Sequence, residues 1–226
     1  MKKSIPALLA LTLFFAACDK ENDPAPPATV TFQPTTAGST WAYETTNNRA
    51  TPATKTNFTL TAKGTDTTIG TKTYKVFTNS AGANDYYYSD GNDYYQYGGI
   101  AGITGNTELL YLKTNIAAGA GWNETKTVAI PGVGNANVKL NYTYVDKVAS
   151  MTVEGKNYTD VLHIIVSLSN ISVGGMPLTV TSQDLHFYYA PGIGRIKSQI
   201  KLTIAIPLSA PIIADNETNL KSAVIK

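Results

Sequence analysis

Apolar and polar residues alternate strictly along several stretches of the chain. Val138, Leu140, Tyr142 and Tyr144 fall on one face of an extended segment, and Asn137, Lys139, Asn141 and Thr143 on the other. Leu162, Ile164, Val166 and Leu168 form a second such row. Ile196, Ser198, Ile200, Leu202, Ile204 and Ile206 form a third, opposed by Lys197, Gln199, Lys201 and Thr203. A period of two with one polar face predicts antiparallel strands packed on one side. Gly91-Asn92, Glu154-Gly155 and Gly174-Gly175 lie between extended runs and read as hairpin turns. No window shows a helical stripe. The mature chain is rich in Thr, Tyr, Val and Ile, which suit a pleated, half-buried surface. The expected fold is all-β, with antiparallel sheets forming a sandwich or flattened half-barrel.

The chain also echoes itself. Gly38-Ser39-Thr40-Trp41 is answered by Ala118-Gly119-Ala120-Gly121-Trp122, and Gly70-Thr71-Lys72-Thr73-Tyr74 by Gly155-Lys156-Asn157-Tyr158. Tyr87-Tyr88-Ser89-Asp90-Gly91 is answered by Tyr188-Tyr189-Ala190-Pro191-Gly192. Each match is weak alone, but all three occur in the same order. Two related β units, 32–118 and 119–226, are therefore expected within one domain spanning 32–226. Trp41 and Trp122 would anchor the core near the start of each half.

The first residues follow another pattern. Lys2 and Lys3 precede an apolar run from Ile5 to Phe15, then Ala16, Ala17 and Cys18. The run is about eleven residues, too short for a bilayer span of roughly twenty. A single cysteine cannot form an internal disulfide. This arrangement resembles a bacterial lipoprotein signal, residues 1–17, cleaved so that Cys18 carries lipid. Residues 18–31 hold Lys20-Glu21-Asn22-Asp23 followed by Pro24, Pro26 and Pro27, an acidic, proline-rich tether. Outer-membrane attachment through the N-terminal lipid is expected, at the cell surface or on the periplasmic face.

The formal charge of +2 is carried entirely by Lys2 and Lys3, so the remainder is balanced. That leaves no electrostatic footprint for nucleic acid. The two histidines, His163 and His186, sit in predicted strands without a ligand motif, so neither metal nor cofactor is expected. His163, flanked by Leu162 and Ile164, reads as a satisfied strand histidine. No nucleophile elbow is present, and the acidic residues cluster in turns and tether, so catalysis is not expected.

One cluster stands out. Tyr86, Tyr87, Tyr88, Tyr94, Tyr95 and Tyr97 are six of the fourteen tyrosines, arranged around a turn at Asp90-Gly91-Asn92-Asp93. Such a hairpin carries tyrosine on both faces, one entering the core and the other partly exposed. Tyr86, Tyr88, Tyr94, Tyr95 and Tyr97 are the candidate ligand-binding residues, for a glycan or an envelope protein. A cross-strand aromatic ladder that only stabilises the hairpin is the competing explanation.

Gly38, Trp41 and Tyr43, the second Gly121-Trp122, the segment Val153–Val161 and the segment Tyr188–Lys197 together resemble uncharacterised Gram-negative bacterial lipoproteins. These are related to domain-of-unknown-function families with LolA-like or TapB-like sheets, and the resemblance covers most of residues 32–202. It implies a β-sheet body and carries over no catalytic residue. In Tyr189-Ala190-Pro191-Gly192-Ile193-Gly194, Pro191 should fix a turn, with Gly192 and Gly194 allowing positive φ or close approach. The function expected is a non-catalytic, lipid-anchored binding or envelope-structural module. A LolA-like carrier of lipid or lipoprotein, and more remotely a glycan-active surface enzyme, are the alternatives.

Overall fold

The computed structural model describes residues 30–99, 106–130 and 133–226; Cys18, the leader and most of the tether lie outside them. The described residues form thirteen strands and no helix. These are β1 (Thr40–Asn47), β2 (Thr54–Ile69), β3 (Lys72–Asn79), β4 (Asp85–Ser89), β5 (Asp93–Gly99), β6 (Asn106–Lys113) and β7 (Gly121–Ile130). They continue with β8 (Gly134–Val153), β9 (Lys156–Val173), the two-residue β10 (Met176–Pro177), β11 (Thr179–Ala190), β12 (Gly194–Ala205) and β13 (Ile212–Val224).

All belong to one antiparallel sheet, ordered β6-β5-β4-β3-β2-β1-β13-β12-β11-β9-β8-β7, with β10 attached to β9. Two meanders, β1–β6 and β7–β13, are joined where β1 pairs with β13 from Thr40↔Val224 to Asn47↔Asn216. Almost every strand lies beside its neighbours in sequence, and the sheet curls until it is nearly a closed barrel. The all-β expectation holds in its half-barrel form. The three sequence echoes fall on equivalent members of the meanders. Trp41 and Trp122 are second residues of β1 and β7, the Gly-containing turns link β2–β3 and β8–β9, and the tyrosine pairs lie in β4 and β11.

The missing pairing is between β6 and β7, and side chains fill it. Leu110 of β6 turns its peptide groups toward β7. Its N–H donates to Glu124 Oε2 at 2.9 Å, and its carbonyl accepts from Trp122 Nε1 at 2.8 Å. Trp122 stacks on Tyr142, with centroids 4.8 Å apart and planes 2° from parallel. Trp122 is therefore a half-buried seam residue, unlike Trp41, which is 1% exposed and donates to Ile193 O at 2.7 Å. Both pack on the main core, Trp41 within it and Trp122 at its border, because β7 is a sheet edge while β1 is flanked on both sides.

The predicted rows point inward. Ile164 and Ile196 are fully buried, and Val138, Tyr142, Leu162 and Val166 nearly so. The main cluster joins Trp41, Tyr43, Phe77, Tyr87, Leu112, Ile164, Ile196 and Leu220, and a smaller one gathers Val128, Ile130, Ala136, Ile171 and Ile204. Bulges let consecutive side chains enter the interior. Tyr111 is the extra residue where the β5–β6 register shifts, and both it and Leu112 are buried. The turn between β11 and β12 is as anticipated: Gly192 and Gly194 have φ of 73° and 102°. A Cβ on Gly194 would lie 3.1 Å from Phe32 O, so the entering segment also needs that glycine.

Candidate functional site: an outward tyrosine platform

The hairpin β4–β5 is built as its sequence suggests. Asp90 N–H bonds to Asp93 O at 3.2 Å and Asp93 N–H to Asp90 Oδ1 at 3.3 Å, closing the turn around Gly91, whose φ is 97°. The register pairs Tyr86 with Tyr97, Tyr87 with Gln96, Tyr88 with Tyr95 and Ser89 with Tyr94. Strand alternation therefore sends Tyr87 and Tyr94 inward. Tyr94 is 3% exposed and its hydroxyl accepts a bond from Phe32 N at 3.2 Å. It is a core residue, so of the five candidates Tyr86, Tyr88, Tyr95 and Tyr97 share the outer face and Tyr94 does not.

The outer four are half-buried and touch one another: Tyr86–Tyr97 centroids are 6.1 Å apart and Tyr88–Tyr95 centroids 5.6 Å. Beneath them lies Tyr74 of β3, 5.9 Å from Tyr88 and 6.2 Å from Tyr97. Although on the outer face, Tyr74 is only 1% exposed, because the neighbouring rings cover it. Its hydroxyl donates to Glu108 Oε2 from β6. Lys72 Nζ bonds Glu108 Oε1 at 2.9 Å and rests 3.6 Å from the centre of the Tyr95 ring. Burial raises the Tyr74 phenol pKa, reinforced by the bond to Glu108. Burial alone would push the Glu108 carboxyl up, but the bonds from Tyr74 and Lys72 outweigh it and hold the group below its ordinary range. Tyr95 is raised by burial and then by Asp90 and Asp93.

The hydroxyls of Tyr86, Tyr88, Tyr95 and Tyr97 have no hydrogen-bond partner among the described residues. A groove of about 310 Å³ lies on the inner face of these strands, lined by Gln33, Thr35, Thr73, Tyr87, Ser89 and the Lys75–Asp66 ion pair at 2.8 Å, and it touches the platform residues only through Tyr88. Flat rings and free hydroxyls can hold a ligand that presents both C–H faces and hydroxyl groups.

A second cluster was not legible in the sequence. On the outer face of β9 and β11, His163 Nε2 and His186 Nδ1 lie 2.7 Å apart, with ring centroids 5.0 Å apart and planes 22° from parallel. The rings meet edge to edge. Asp146 Oδ1 is 3.4 Å from the outer nitrogen of His163, and Asp184 Oδ1 is 2.6 Å from that of His186. Tyr188 stacks on His163 at 4.5 Å. Burial, then the neighbouring imidazole, lowers the His163 pKa against the opposing pull of Asp146. His163 is thus satisfied, as its sequence setting suggests, but by its fellow histidine. Period two alone would align Asp184, His186 and Tyr188; only the β9–β11 register brings His163 to them. Among the described residues no group of three or more His, Cys, Asp or Glu is placed to hold a metal. No known family model, curated protein or solved structure matches the chain, so the site is interpreted from its own chemistry.

Proposed function

We propose that this protein is a non-catalytic, lipid-anchored binding module of the bacterial outer membrane, whose tyrosine platform takes a carbohydrate chain. The observation that carries the reading is the set of four outward tyrosines with unpaired hydroxyls, in two contacting pairs joined by Tyr74 beneath them. Stacking a sugar on Tyr95 and Tyr88 would bury its apolar face, while the phenol hydroxyls and the Lys72–Glu108 pair beside them meet its hydroxyls.

The test is a glycan array probed with the soluble domain, then repeated with Tyr88→Ala and Tyr95→Ala. Each loss of a stacking ring should weaken retention about fivefold or more, by analogy with aromatic contacts worth about 1 kcal/mol beyond area burial. Retention unchanged in both variants would remove the platform from the reading. The anchoring half rests on Cys18 and its preceding segment. Cys18→Ser cells should release the protein from the membrane fraction, and unaltered fractionation would refute lipid attachment.

A further inference from the structure

One end of the barrel carries exposed apolar side chains on segments without formal charge. The connections from β9 to β11 and from β12 to β13 lie side by side there, and Thr179 pairs with Ala205, so both rise from one level. No Asp, Glu, Lys or Arg occurs from Ile164 to Gln183 or from Leu202 to Ala214. Inward side chains of these segments, among them Ile171, Val180, Leu202, Ile204 and Ile212, form or pack on the smaller core, which holds the hairpins in place. At the tips Met176, Pro177, Pro207 and Leu208 are exposed, Leu208 fully. Ser209 N–H bonds to Ile206 O at 3.2 Å, so Pro207 and Leu208 are the central residues of a turn, and Leu208 has a φ of 59°. Glycine or asparagine is favoured in that position, because a Cβ crowds the following carbonyl. A branched apolar side chain held there in solvent contributes nothing to the fold, and strain of this kind points to a use outside it.

What is missing identifies the occupant. Hydrocarbon excludes charge from any surface that enters it. Protein interfaces deplete charge only at their core, whereas here it is absent from tips, flanks and core alike. Apolar tips flanked by neutral polar residues such as Ser172, Thr179, Thr181 and Ser209 suit the boundary between acyl chains and headgroups. At the edge of this face Arg49, in the β1–β2 turn, is exposed, bonds Ile213 O at 2.9 Å and has no ion pair among the described residues. Its guanidinium can meet a lipid phosphate. A bilayer is also within reach. The chain enters the body at the opposite end, where Gly192 N–H bonds Thr31 O at 2.7 Å. From there β12, Gly194–Ala205, runs about 40 Å toward the tips. Residues 18–30, fully extended, also span about 40 Å, so the body can lie over and set its tips on the surface that holds an acyl group on Cys18. That reach rests on the lipid attachment proposed for Cys18; the character of the tips does not.

We propose that the Met176–Pro177 and Pro207–Leu208 tips dip together into the interfacial layer of a phospholipid bilayer. This is a membrane contact of the folded body itself, separate from the lipid anchor and from the tyrosine platform.

The full chain carrying Leu208→Trp, reconstituted in vesicles of phosphatidylethanolamine and phosphatidylglycerol, tests the contact. Leu208 is fully exposed, so the substitution leaves the core untouched. When the acyl chains are brominated near the headgroups, most of the emission added by this substitution should be quenched. The emission of the unsubstituted chain, from Trp41 and Trp122, is the baseline. Adding Met176→Asp carries a carboxylate into the layer and should remove most of the quenching, whereas Met176→Leu should preserve it. Flotation with the vesicles reads the anchor separately: a chain that floats while its added emission stays unquenched keeps the anchor and refutes the tip contact. Quenching that Met176→Asp leaves unchanged would equally overturn the proposal, because the two tips would not then enter the layer as one surface.

Discussion

Trp122→Phe and Glu124→Ala test whether side chains hold the barrel closed. Both residues act on Leu110, one on its carbonyl and the other on its N–H. Trp122→Phe keeps an aromatic ring against Tyr142 but removes the indole donor. A net hydrogen bond is worth about 0.5–1.5 kcal/mol, and a partly buried carbonyl left unpaired adds a further penalty, so a loss of roughly 1–2 kcal/mol is expected. Glu124→Ala frees the Leu110 amide and also breaks the 2.8 Å ion pair with Lys126. That pair is partly exposed and adds little, so its cost is again roughly 1–2 kcal/mol. In a domain of this size each variant should melt on the order of 2–8 °C lower. Because both bonds clasp one residue, the second substitution should cost less once the first has loosened the seam, and the pair should fall short of additivity. Glu124→Gln retains an acceptor and should recover most of the loss. The sharper readout is amide exchange: Leu110 should lose protection in Glu124→Ala while the β8–β9 ladder keeps its own. If the Leu110 amide exchanges as slowly without Glu124 as with it, the seam is not held as described.

The histidine pair makes stability depend on pH. Because the folded-state pKa of His163 is lowered, the unfolded chain takes up that proton first as pH falls through the ordinary histidine range near 6.5. Urea midpoints should therefore be highest above neutrality and decline between pH 7 and the lowered value, and His163→Gln should flatten that decline; an identical slope in the variant would contradict the burial argument. Gly121 is fixed by crowding rather than dihedral freedom: a Cβ there would sit 2.2 Å from Tyr142 O. Gly121→Ala should cost about 1–3 kcal/mol in chemical denaturation by forcing β7 from β8, and wild-type stability would show that the strands give way freely. On the platform, Tyr97→Phe should leave stability within about 0.5 kcal/mol, since its hydroxyl bonds nothing in the protein; a larger loss would reveal an unrecognised structural role.

Much of the sheet is legible from alternation alone, because one face of each strand is buried. The rows through Tyr142, Ile164 and Ile196 point where period two sends them. The same rule separates Tyr94 from Tyr95, but only once the turn at Gly91 is fixed, which is why Tyr94 is miscast when the cluster is read as a composition. What alternation cannot show is register and curvature. His163 and His186 lie 23 positions apart and meet only through the β9–β11 pairing. The bulge at Ile196 breaks the alternation between β11 and β12, which period two alone does not foresee. Trp122 looks like a twin of Trp41, and differs because closure of the sheet makes β7 an edge.

The start of β1 and the residues just after β13 are neighbours: Lys226 N–H reaches Ser39 Oγ at 3.1 Å, beside the Thr40–Val224 pairing. The opposite side of the ring is the clasp at Leu110, where no main-chain ladder crosses. A gene rearranged to begin at β7 and finish at β6, with a short splice bridging Lys226 to the residues before Ser39, would keep every ladder intact. The molecule can thus be unzipped and relinked there without breaking a strand pairing.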